Sequence, residues 1–448
     1  MKRITLLNTL LIAALALAAC ASPTTVAPTA ASAQPTGAPK PTDAPKPTEA
    51  PKPTEVKVDT VRFTWFTDGP DKPAIEGLVK KFNDTNPDIK VELSIVPFAE
   101  LNQLLTTQAS AGQAPDLARV TEPYRFYQYA LDLKPHFKNA NFPKEFLEEP
   151  MKLTMGEKGE VYGIPHDLTM NGPFINVSLF KKAGVAIPKG DKVTWEEWLE
   201  AAMKVKKATG VPFAATADRS GHRLDGFIQS YGGGFFTADG KDVRINSPET
   251  KKAIEYFVKL HKDGVMPLDI WAGGTGYVGA NQQFVNSQLV YYISGNWQVA
   301  QFNDTIGNKF EWQAVPNGYN SQGGGMPGGK FVMAFKNAKT PPAKLARLVE
   351  FLGSADAMTE YVSKSMFLPT RKDLIEKGVK YPARNDDMNV FIKGLGQLPK
   401  SAYVDNYHLR FGPVSTEVRD RVTQAIVGEL TVDKAIEQAQ TKAKELLK

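Results

Sequence analysis

Alternating hydrophobic and polar positions mark the first stretch of the chain that can form a core. Residues 61–66 alternate with the two-residue period of a strand, and residues 89–95 repeat that pattern. Between them, residues 75–82 place their apolar side chains at helical spacing, as does a second helix around 101–105. A third strand is predicted over 115–120. Strand, helix, strand, helix and strand in this order predict a doubly wound α/β fold, which binds ligands beyond the carboxyl ends of its strands.

Further helices and strands follow along the chain. Thr194 and Glu197 form a capping box that opens a helix, and Ser247 with Pro248 provides the start of another. The remaining predictions are a helical region near 124–131, strands at 213–216, 289–293 and 331–335, helices over roughly 342–352 and 356–363, and an amphipathic C-terminal helix from about 432.

The N-terminus has a different pattern. Two basic residues at 2–3 precede an apolar run at 4–19, which ends at Cys20, the only cysteine in the sequence. This arrangement predicts a secretory signal peptide over 1–19, because the run is shorter than the roughly 20 residues that a spanning helix needs. Residues 17–20 resemble a bacterial lipobox, in which the cysteine is acylated. We therefore expect a lipoprotein held at the extracellular face of the cell membrane; a cleaved signal with an incidental cysteine is the alternative.

Residues 20–57 contain almost nothing that a core could use. Proline, threonine and alanine dominate, and a Pro-Lys-Pro-Thr-acidic-Ala repeat runs between Pro39 and Glu55. Proline-rich chain is extended and semi-rigid, so about 37 residues at roughly 3.1 Å each reach on the order of 100 Å. The segment is expected to tether a globular head to the acylated cysteine.

Composition and charge narrow the choice of function. The net charge of +6 becomes +4 without Lys2 and Arg3, which is too mild across this chain to indicate a nucleic-acid partner. Hydrophobic residues make up 42% of the 448 residues, enough for two or three cored domains. With Cys20 acylated, no disulfide can form, and no second apolar run approaches spanning length.

Several short motifs then support a family resemblance over residues 58–448. Together and in this order, they resemble the extracellular solute-binding proteins of family 1, the maltodextrin-binding-like, sugar-binding subunits of ABC importers. The motifs are Phe82–Pro87 with Val91, Ala114–Leu117, Tyr162–Pro165, Leu179–Val185 running into Thr194–Glu197, Ser247–Thr250 with Ala253, Gly295–Trp297, and Leu368–Arg371.

The resemblance implies a two-lobed α/β periplasmic-binding-protein-like fold of type II, with a ligand cleft beside the hinge between the lobes. The N-terminal lobe is expected to take residues 58–166 and 315–366, and the C-terminal lobe residues 167–314 and 367–448. It implies a monomeric receptor without catalysis, cofactor or metal, which delivers a sugar or oligosaccharide to ABC permease subunits.

A sugar offers hydroxyl groups at its rim and C–H groups on its faces, so carboxylates, amides, arginines and a stacking aromatic suit it. By the resemblance, Trp297 of the Gly295–Trp297 motif is the stacking residue; a core tryptophan is the alternative. Asn296 precedes it. The resemblance also implies ligand-binding roles for Asp167, otherwise a hinge or capping residue, and for Arg371.

Other candidates follow from their place in the chain. Strand ends contribute Thr67, Asp68, Arg119, Thr121 and Glu122, for which helix capping or surface ion pairs are the alternatives. After the strand at 213–216, where the family often contributes cleft residues, come Arg223 and Asp225. Trp271 is a candidate for the cleft rim or a hydrophobic lid, and Gly328 and Gly329 for close backbone approach to ligand or a turn. Tyr403, Tyr407 and His408 are further residues that could reach the cleft.

Competing functions find less support in the sequence. Residues 274–279 fit a dinucleotide-binding glycine pattern but follow no strand, and residues 324–330 lack the Ser or Thr of a phosphate loop. A secreted glycan hydrolase would use two carboxylates, conceivably Asp167 with Glu122, although no hydrolase signature is present. A binding protein for a polyamine, iron, an anionic glycan or a phosphodiester remains open.

Overall fold

The computed structural model of the protein describes residues 57–67, 70–273, 276–336 and 339–448. The expected signal peptide, Cys20, most of the tether and Asp68 lie outside the described residues. Within those ranges, no helix has both the length and the apolar character needed to cross a bilayer.

The first five elements follow the hydrophobic pattern as predicted. Strand β1 (Asp59–Phe66) buries Val61, Phe63 and Trp65, and helix α1 (Lys72–Thr85) buries its apolar face at helical spacing. β1 pairs in parallel with β2 (Ile89–Val96) on one side and with β3 (Leu117–Val120) on the other, and α2 (Phe98–Ser110) connects the last two strands. The predicted βαβαβ unit is confirmed.

The remaining strands complete an eight-stranded mixed sheet across the described residues. They are β4 (Gly163–Asn176), β5 (Phe213–Ala217), β6 (Leu289–Gly295), β7 (Trp312–Ala314) and β8 (Pro327–Ala334). The strand order is β2-β1-β3-β8-β4-β6-β5, with β7 also paired to β4. β8 runs antiparallel to both β3 and β4, β4 runs antiparallel to β6, and β6 is parallel to β5.

Strand β4 is buried over all of its 14 residues. Its first half pairs with β8, and its second half pairs with β6 and β7. Its length lets it reach both groups of partner strands as one continuous strand. The lobe boundaries stay a prediction, with β4 shared by both sides of the sheet.

Fifteen further α-helices follow α2 in the described part of the chain. They are α3 (Glu148–Lys152), α4 (Val177–Ala183), α5 (Trp195–Thr209), α6 (Gly221–Ser230), α7 (Pro248–Lys262), α8 (Leu268–Ala272), α9 (Asn281–Val285), α10 (Gln298–Ile306), α11 (Pro342–Leu352), α12 (Ala355–Ser365), α13 (Lys372–Lys377), α14 (Asn385–Leu395), α15 (Lys400–Tyr407), α16 (Phe411–Ile426) and α17 (Val432–Leu447).

The local start signals of these helices act as predicted. Thr194 accepts a hydrogen bond from the backbone N–H of Glu197, whose carboxylate accepts one from the backbone N–H of Thr194, so the capping box is complete. Ser247 caps α7 through the backbone N–H of Thr250. The helical region predicted near 124–131 forms as a 3-10 helix over Pro123–Tyr129, with Pro123 in its first turn.

Candidate functional site

An open cleft with a volume of about 580 Å³ brings together six of the residues that the sequence suggested as ligand contacts. They are Thr121, Glu122, Arg223, Trp297, Gly328 and Gly329. They come from the end of β3, from α6, from the turn after β6 and from β8, which are distant in the chain. Because the sheet brings these separate elements to one cavity, the cleft is the candidate functional site.

The first wall of the cleft is formed by the end of β3 and by β8. Thr121 and Glu122 follow β3 directly, and Lys330 lies on β8. The carboxylate of Glu122 accepts hydrogen bonds from the Asn102 amide, at 3.1 Å, and from the Arg125 guanidinium. Glu122 is therefore held in a fixed orientation at the edge of the cleft.

Gly328 and Gly329 on β8 are explained by packing. A Cβ at Gly328 would lie 2.4 Å from Oγ1 of Thr169, and a Cβ at Gly329 would lie 2.6 Å from the hydroxyl of Tyr407. A side chain at either position would displace its neighbours. Backbone contact between these glycines and a ligand stays a prediction.

The second wall is built around Trp297. This residue is half-buried, whereas the five other tryptophans are buried. A Cβ at Gly295 would lie 2.0 Å from a carbon of the Trp297 ring, so the indole lies directly against the end of β6. The guanidinium carbon of Arg223 lies 4.3 Å from the centre of the Trp297 ring and 5.7 Å from that of Tyr277. The cation is attracted to both rings, which fixes the indole in the cleft wall.

His222 lines the cleft beside Arg223 with a defined tautomer. Its Nε2 donates a hydrogen bond to the carbonyl of Pro327, at 3.0 Å. Burial, assisted by the charge of Arg223, lowers the pKa of His222 to about 3, so the ring is neutral at physiological pH. Nδ1 is then a hydrogen-bond acceptor, and it has no partner in the described part of the chain.

Both cations that line the cleft in the described residues have a carboxylate close by. Nε of Arg223 lies 3.5 Å from Oδ2 of Asp218, and Nζ of Lys330 lies 3.9 Å from Oδ2 of Asp167. The carboxylate of Glu122 is paired with the Arg125 guanidinium. The charges that face the cleft are thus balanced within the protein.

Arg119 and Asp167 lie beneath the first wall and are fully buried. The Arg119 guanidinium donates to both carboxylate oxygens of Asp167, at 2.9 and 3.0 Å, to Asp71 at 3.0 Å and to the carbonyl of Phe66 at 2.8 Å. Burial alone would raise the pKa of Asp167, but the charge of Arg119 and the hydrogen bond with His166 hold it at about 2. The structure places both predicted ligand contacts in a closed ion-pair network.

Trp271 and Asn296 also lie inside the protein. Trp271 is in the core rather than at a cleft rim, since its ring is fully buried and its Nε1 donates to the carbonyl of Ala217 at 3.1 Å. The side chain of Asn296 accepts from the backbone N–H of Met170 at 2.9 Å and donates to the carbonyl of Met366 at 3.1 Å. Asn296 therefore connects β4 to the segment after α12.

Asp225 and Arg371 are placed away from the cleft. Asp225 on α6 is fully buried, and the amide of Gln229 donates both to it, at 3.3 Å, and to Asp405, at 2.9 Å. Arg371 donates to Glu145 at 2.5 Å and lies among residues packed against α11 and α13. A binding role for either residue has no support in this arrangement of the chain.

The last three candidates from the C-terminal segment border a different hollow. Tyr403, Tyr407 and His408 line a depression of about 390 Å³, while their neighbour Asn406 lines the cleft. Thr67 follows β1 and is half-buried, outside the described lining of the cleft.

The structure adds cleft residues that the sequence did not single out. They are Phe98, Thr169, His222, Tyr277, Lys330, Asn406 and Phe411. Three of them had a signal, because His222, Lys330 and Asn406 are direct neighbours of the candidates Arg223, Gly329 and Tyr407. Tyr277 and Phe98 had none, since an aromatic residue in a loop or at the start of a helix predicts no particular partner.

A smaller cavity of about 260 Å³ lies between α14 and the segment 315–324 and contains none of the predicted residues. Across the described ranges, no group of three or more histidine, cysteine, aspartate or glutamate side chains is arranged to hold a metal ion.

Comparison with known proteins gives the family. Residues 67–359 match the bacterial extracellular solute-binding proteins. The multiple sugar-binding protein of Streptococcus mutans is 24% identical over 378 residues, covering 80% of this chain and 83% of that protein. The sn-glycerol-3-phosphate-binding periplasmic protein of Salmonella typhimurium is 23% identical over 427 residues, covering 87% and 93%.

The structural comparison agrees with the fold expected from the sequence. The cyclic α-maltosyl-1,6-maltose binding protein of Arthrobacter globiformis superposes with a TM-score of 0.73 at 21% identity, covering 87% of this chain and 99% of that one. The fold is the two-lobed α/β fold of periplasmic binding proteins, and its family consists of binding proteins rather than enzymes. Since the family match spans well over half of the sequence, this chain belongs to the bacterial extracellular solute-binding protein family.

Proposed function

We propose that this protein is the receptor of an ABC importer, that it binds a sugar or oligosaccharide in the cleft described above, and that it passes this ligand to the permease subunits. The observation that carries the proposal is the half-buried indole of Trp297 in a wall surrounded by hydrogen-bonding groups. The family match and the sugar-binding relatives support it.

The chemistry of the cleft suits a polyol. An indole gives a flat apolar surface for the C–H face of a sugar ring. Thr121, Glu122 and Asn406 offer hydroxyl, carboxylate and amide groups. A sugar with several hydroxyl groups satisfies such a mixed set of donors and acceptors without a metal or cofactor.

The charge balance favours an uncharged ligand. Arg223 and Lys330 are each close to a carboxylate, so the cleft carries no excess positive charge that an anion would neutralise. A strongly anionic or cationic solute would have to be desolvated against balanced charges, which is unfavourable.

Ligand contacts with both walls would favour the closed arrangement of the lobes by their differential affinity. The closed head is then the form that the permease recognises. The lobe division at 58–166 plus 315–366 and 167–314 plus 367–448 is part of this proposal, as is action as a monomer.

The proposal places the head at the extracellular face of the cell membrane. The signal-like residues 1–19, the cysteine at position 20 and the proline-rich tether support a lipid anchor with a long reach. These segments lie largely outside the described residues, so the anchor rests on the sequence.

Calorimetric titration of residues 58–448 with neutral mono- and oligosaccharides, uronates, glycerol phosphate and polyamines tests the proposal. We expect heat of binding from at least one neutral sugar. Trp297→Ala should weaken that binding at least about tenfold, or roughly 1.4 kcal/mol. The matched control is Tyr319→Ala, since Tyr319 also has a cation near its ring, Lys192 at 5.4 Å, but does not line the cleft.

Two outcomes of this experiment would contradict the proposal. Binding of charged solutes alone would refute the sugar assignment. Equal affinity of the folded Trp297→Ala variant and the parent would refute the stacking role. Because the other five tryptophans are buried, ligand-induced change in tryptophan emission should also disappear in Trp297→Phe.

A further inference from the structure

Asp218 is a buried residue that contacts two residues of the cleft lining, Arg223 and Tyr277. It follows β5 directly and has no exposed surface. Its carboxylate accepts four hydrogen bonds, from the hydroxyls of Tyr277 at 3.2 Å, Tyr292 at 2.5 Å and Ser294 at 2.8 Å, and from the backbone N–H of Ala280 at 3.1 Å.

These partners come from three different elements. Tyr292 and Ser294 belong to β6, whose end carries Trp297. Tyr277 is in the loop before α9; the residue is 57% exposed, and its phenol donates to Oδ2 of Asp218. Arg223 belongs to α6, and its Nε lies 3.5 Å from Oδ2 of Asp218. One carboxylate therefore joins a strand, a loop and a helix at the cleft.

The same contacts determine the surroundings of the indole. Arg223 lies between the rings of Trp297 and Tyr277, at 4.3 and 5.7 Å from their centres. Nε of Arg223 makes no hydrogen bond in the described part of the chain, so the charge of Asp218 is the close attraction on that end of the guanidinium. The hydroxyl of Ser294, three residues before Trp297, donates to the same Oδ2.

We infer that Asp218 is the positioning residue of the ligand-binding wall: by holding Arg223, Tyr277 and Ser294 together, it sets the orientation in which Trp297 meets the sugar. The inference rests on the proposed function for the meaning of that orientation. Asp218 itself lies behind the wall and does not line the cleft.

An amide in place of the carboxylate should disrupt this arrangement. In Asp218→Asn, an NH₂ group replaces one carboxylate oxygen, and this group cannot accept the hydrogen bonds that the oxygen accepted. Arg223 also loses the negative charge opposite it. The guanidinium should then move away from the indole. Hydrogen bonds to a charged group are strong enough that a loss of roughly tenfold in sugar affinity is expected.

The test has one readout in the ligand-free protein and one with ligand. Emission of the full head is compared for the parent and Asp218→Asn, each with Trp297 present or replaced by phenylalanine. We expect a change in emission that appears only when Trp297 is present, because the cation leaves that indole. Calorimetry with the sugar bound by the parent should show the affinity loss.

Asp387→Asn is the matched control. Asp387 is also buried, accepts a hydrogen bond from the backbone N–H of Ala314 and forms an ion pair with Arg384, but it does not line the cleft. We expect it to alter stability while it leaves Trp297 emission and sugar affinity unchanged. Equal effects of the two substitutions on sugar affinity and on the part of the emission that depends on Trp297 would overturn the inference. Unchanged Trp297 emission in Asp218→Asn would also overturn it.

A variant that keeps the fold provides an independent check. Tyr277→Phe removes one phenol from an exposed ring, and it should change Trp297 emission in the same direction by a smaller amount. Unchanged emission in this variant, if Asp218→Asn does not fold, would overturn the inference. Failure of all sugars to bind would refute the proposed function alone, because the emission measurement needs no ligand.

Discussion

Replacement of Arg119 by methionine should destabilise the head far more than loss of an exposed ion pair. Arg119 has no exposed surface and makes charged hydrogen bonds to two buried carboxylates, those of Asp71 and Asp167. The substitution keeps an apolar side chain of similar length but leaves both carboxylates without their main cation. Removal of one partner from a buried pair costs about 3–5 kcal/mol.

The expected change in melting temperature follows from the size of the head. The unfolding entropy is about 2.1 cal/mol/K per residue, or roughly 0.8 kcal/mol/K over roughly 390 residues. A loss of about 4 kcal/mol then lowers the melting temperature by about 5 °C. Differential scanning calorimetry of the parent and variant measures this directly.

Arg347→Met provides the matched control. Arg347 also contacts both carboxylate oxygens of an aspartate, Asp88, at 3.1 and 2.8 Å, but its side chain is 45% exposed. An exposed pair contributes less than about 1 kcal/mol, so the melting temperature should fall by about 1 °C or less. Equal losses in the two variants would refute the reasoning that burial makes the Arg119 network costly to break.

A triple variant separates charge from packing. Arg119→Met combined with Asp71→Asn and Asp167→Asn removes the uncompensated carboxylates, so it should be more stable than Arg119→Met alone. If the triple variant is the less stable of the two, the loss in the single variant comes from packing of the arginine rather than from unpaired charge.

Two further predictions concern pH and the anchor. Burial together with the charge of Asp405 raises the pKa of Asp225 well above its usual range. Burial raises the pKa of Asp405 to about 6, although two backbone N–H groups donate to it. Gln229 and Arg244 are the other polar neighbours of this pair. A carboxyl group with a raised pKa contributes its full stabilisation below the unfolded pKa of about 4 and loses it as pH rises through about 6. Asp225→Asn should therefore reduce the fall in melting temperature between about pH 5 and about pH 8. A parallel fall in parent and variant would contradict this. Cys20→Ala in the full chain should move the protein from the membrane to the soluble fraction and abolish labelling by a fatty acid, and unchanged membrane association would contradict the anchor.

The sequence predicted the elements whose signals are local. The alternation of Val61, Phe63 and Trp65 and the caps Thr194 and Ser247 depend on neighbours a few residues away, and all of them appear as expected. The prediction was weaker where a side chain has a distant partner. A polar residue at a strand end has the same local pattern whether it faces solvent or a buried charge.

Arg119 and Trp271 show why the site was only partly predictable. Arg119 pairs with Asp167, which is 48 residues away, and the hydrophobic pattern around either residue does not predict this pairing. Trp271 lies in a helix of five residues, which is too short for an apolar face to be visible in the sequence. Asp218 was missed for the same reason, since its four donors come from segments between 59 and 76 residues further along the chain.

The two neighbours in the Asn296–Trp297 pair act on different parts of the molecule. The Asn296 side chain joins β4, through Met170, to the segment after α12, through Met366. Trp297 faces the cleft and meets Arg223. A ligand shifts the equilibrium between open and closed lobes only by its difference in affinity for the two forms. Trp297, which lines the cleft, is the member of the pair that is placed to contribute to that difference by contact, whereas Asn296 is fully buried and bonded to backbone groups.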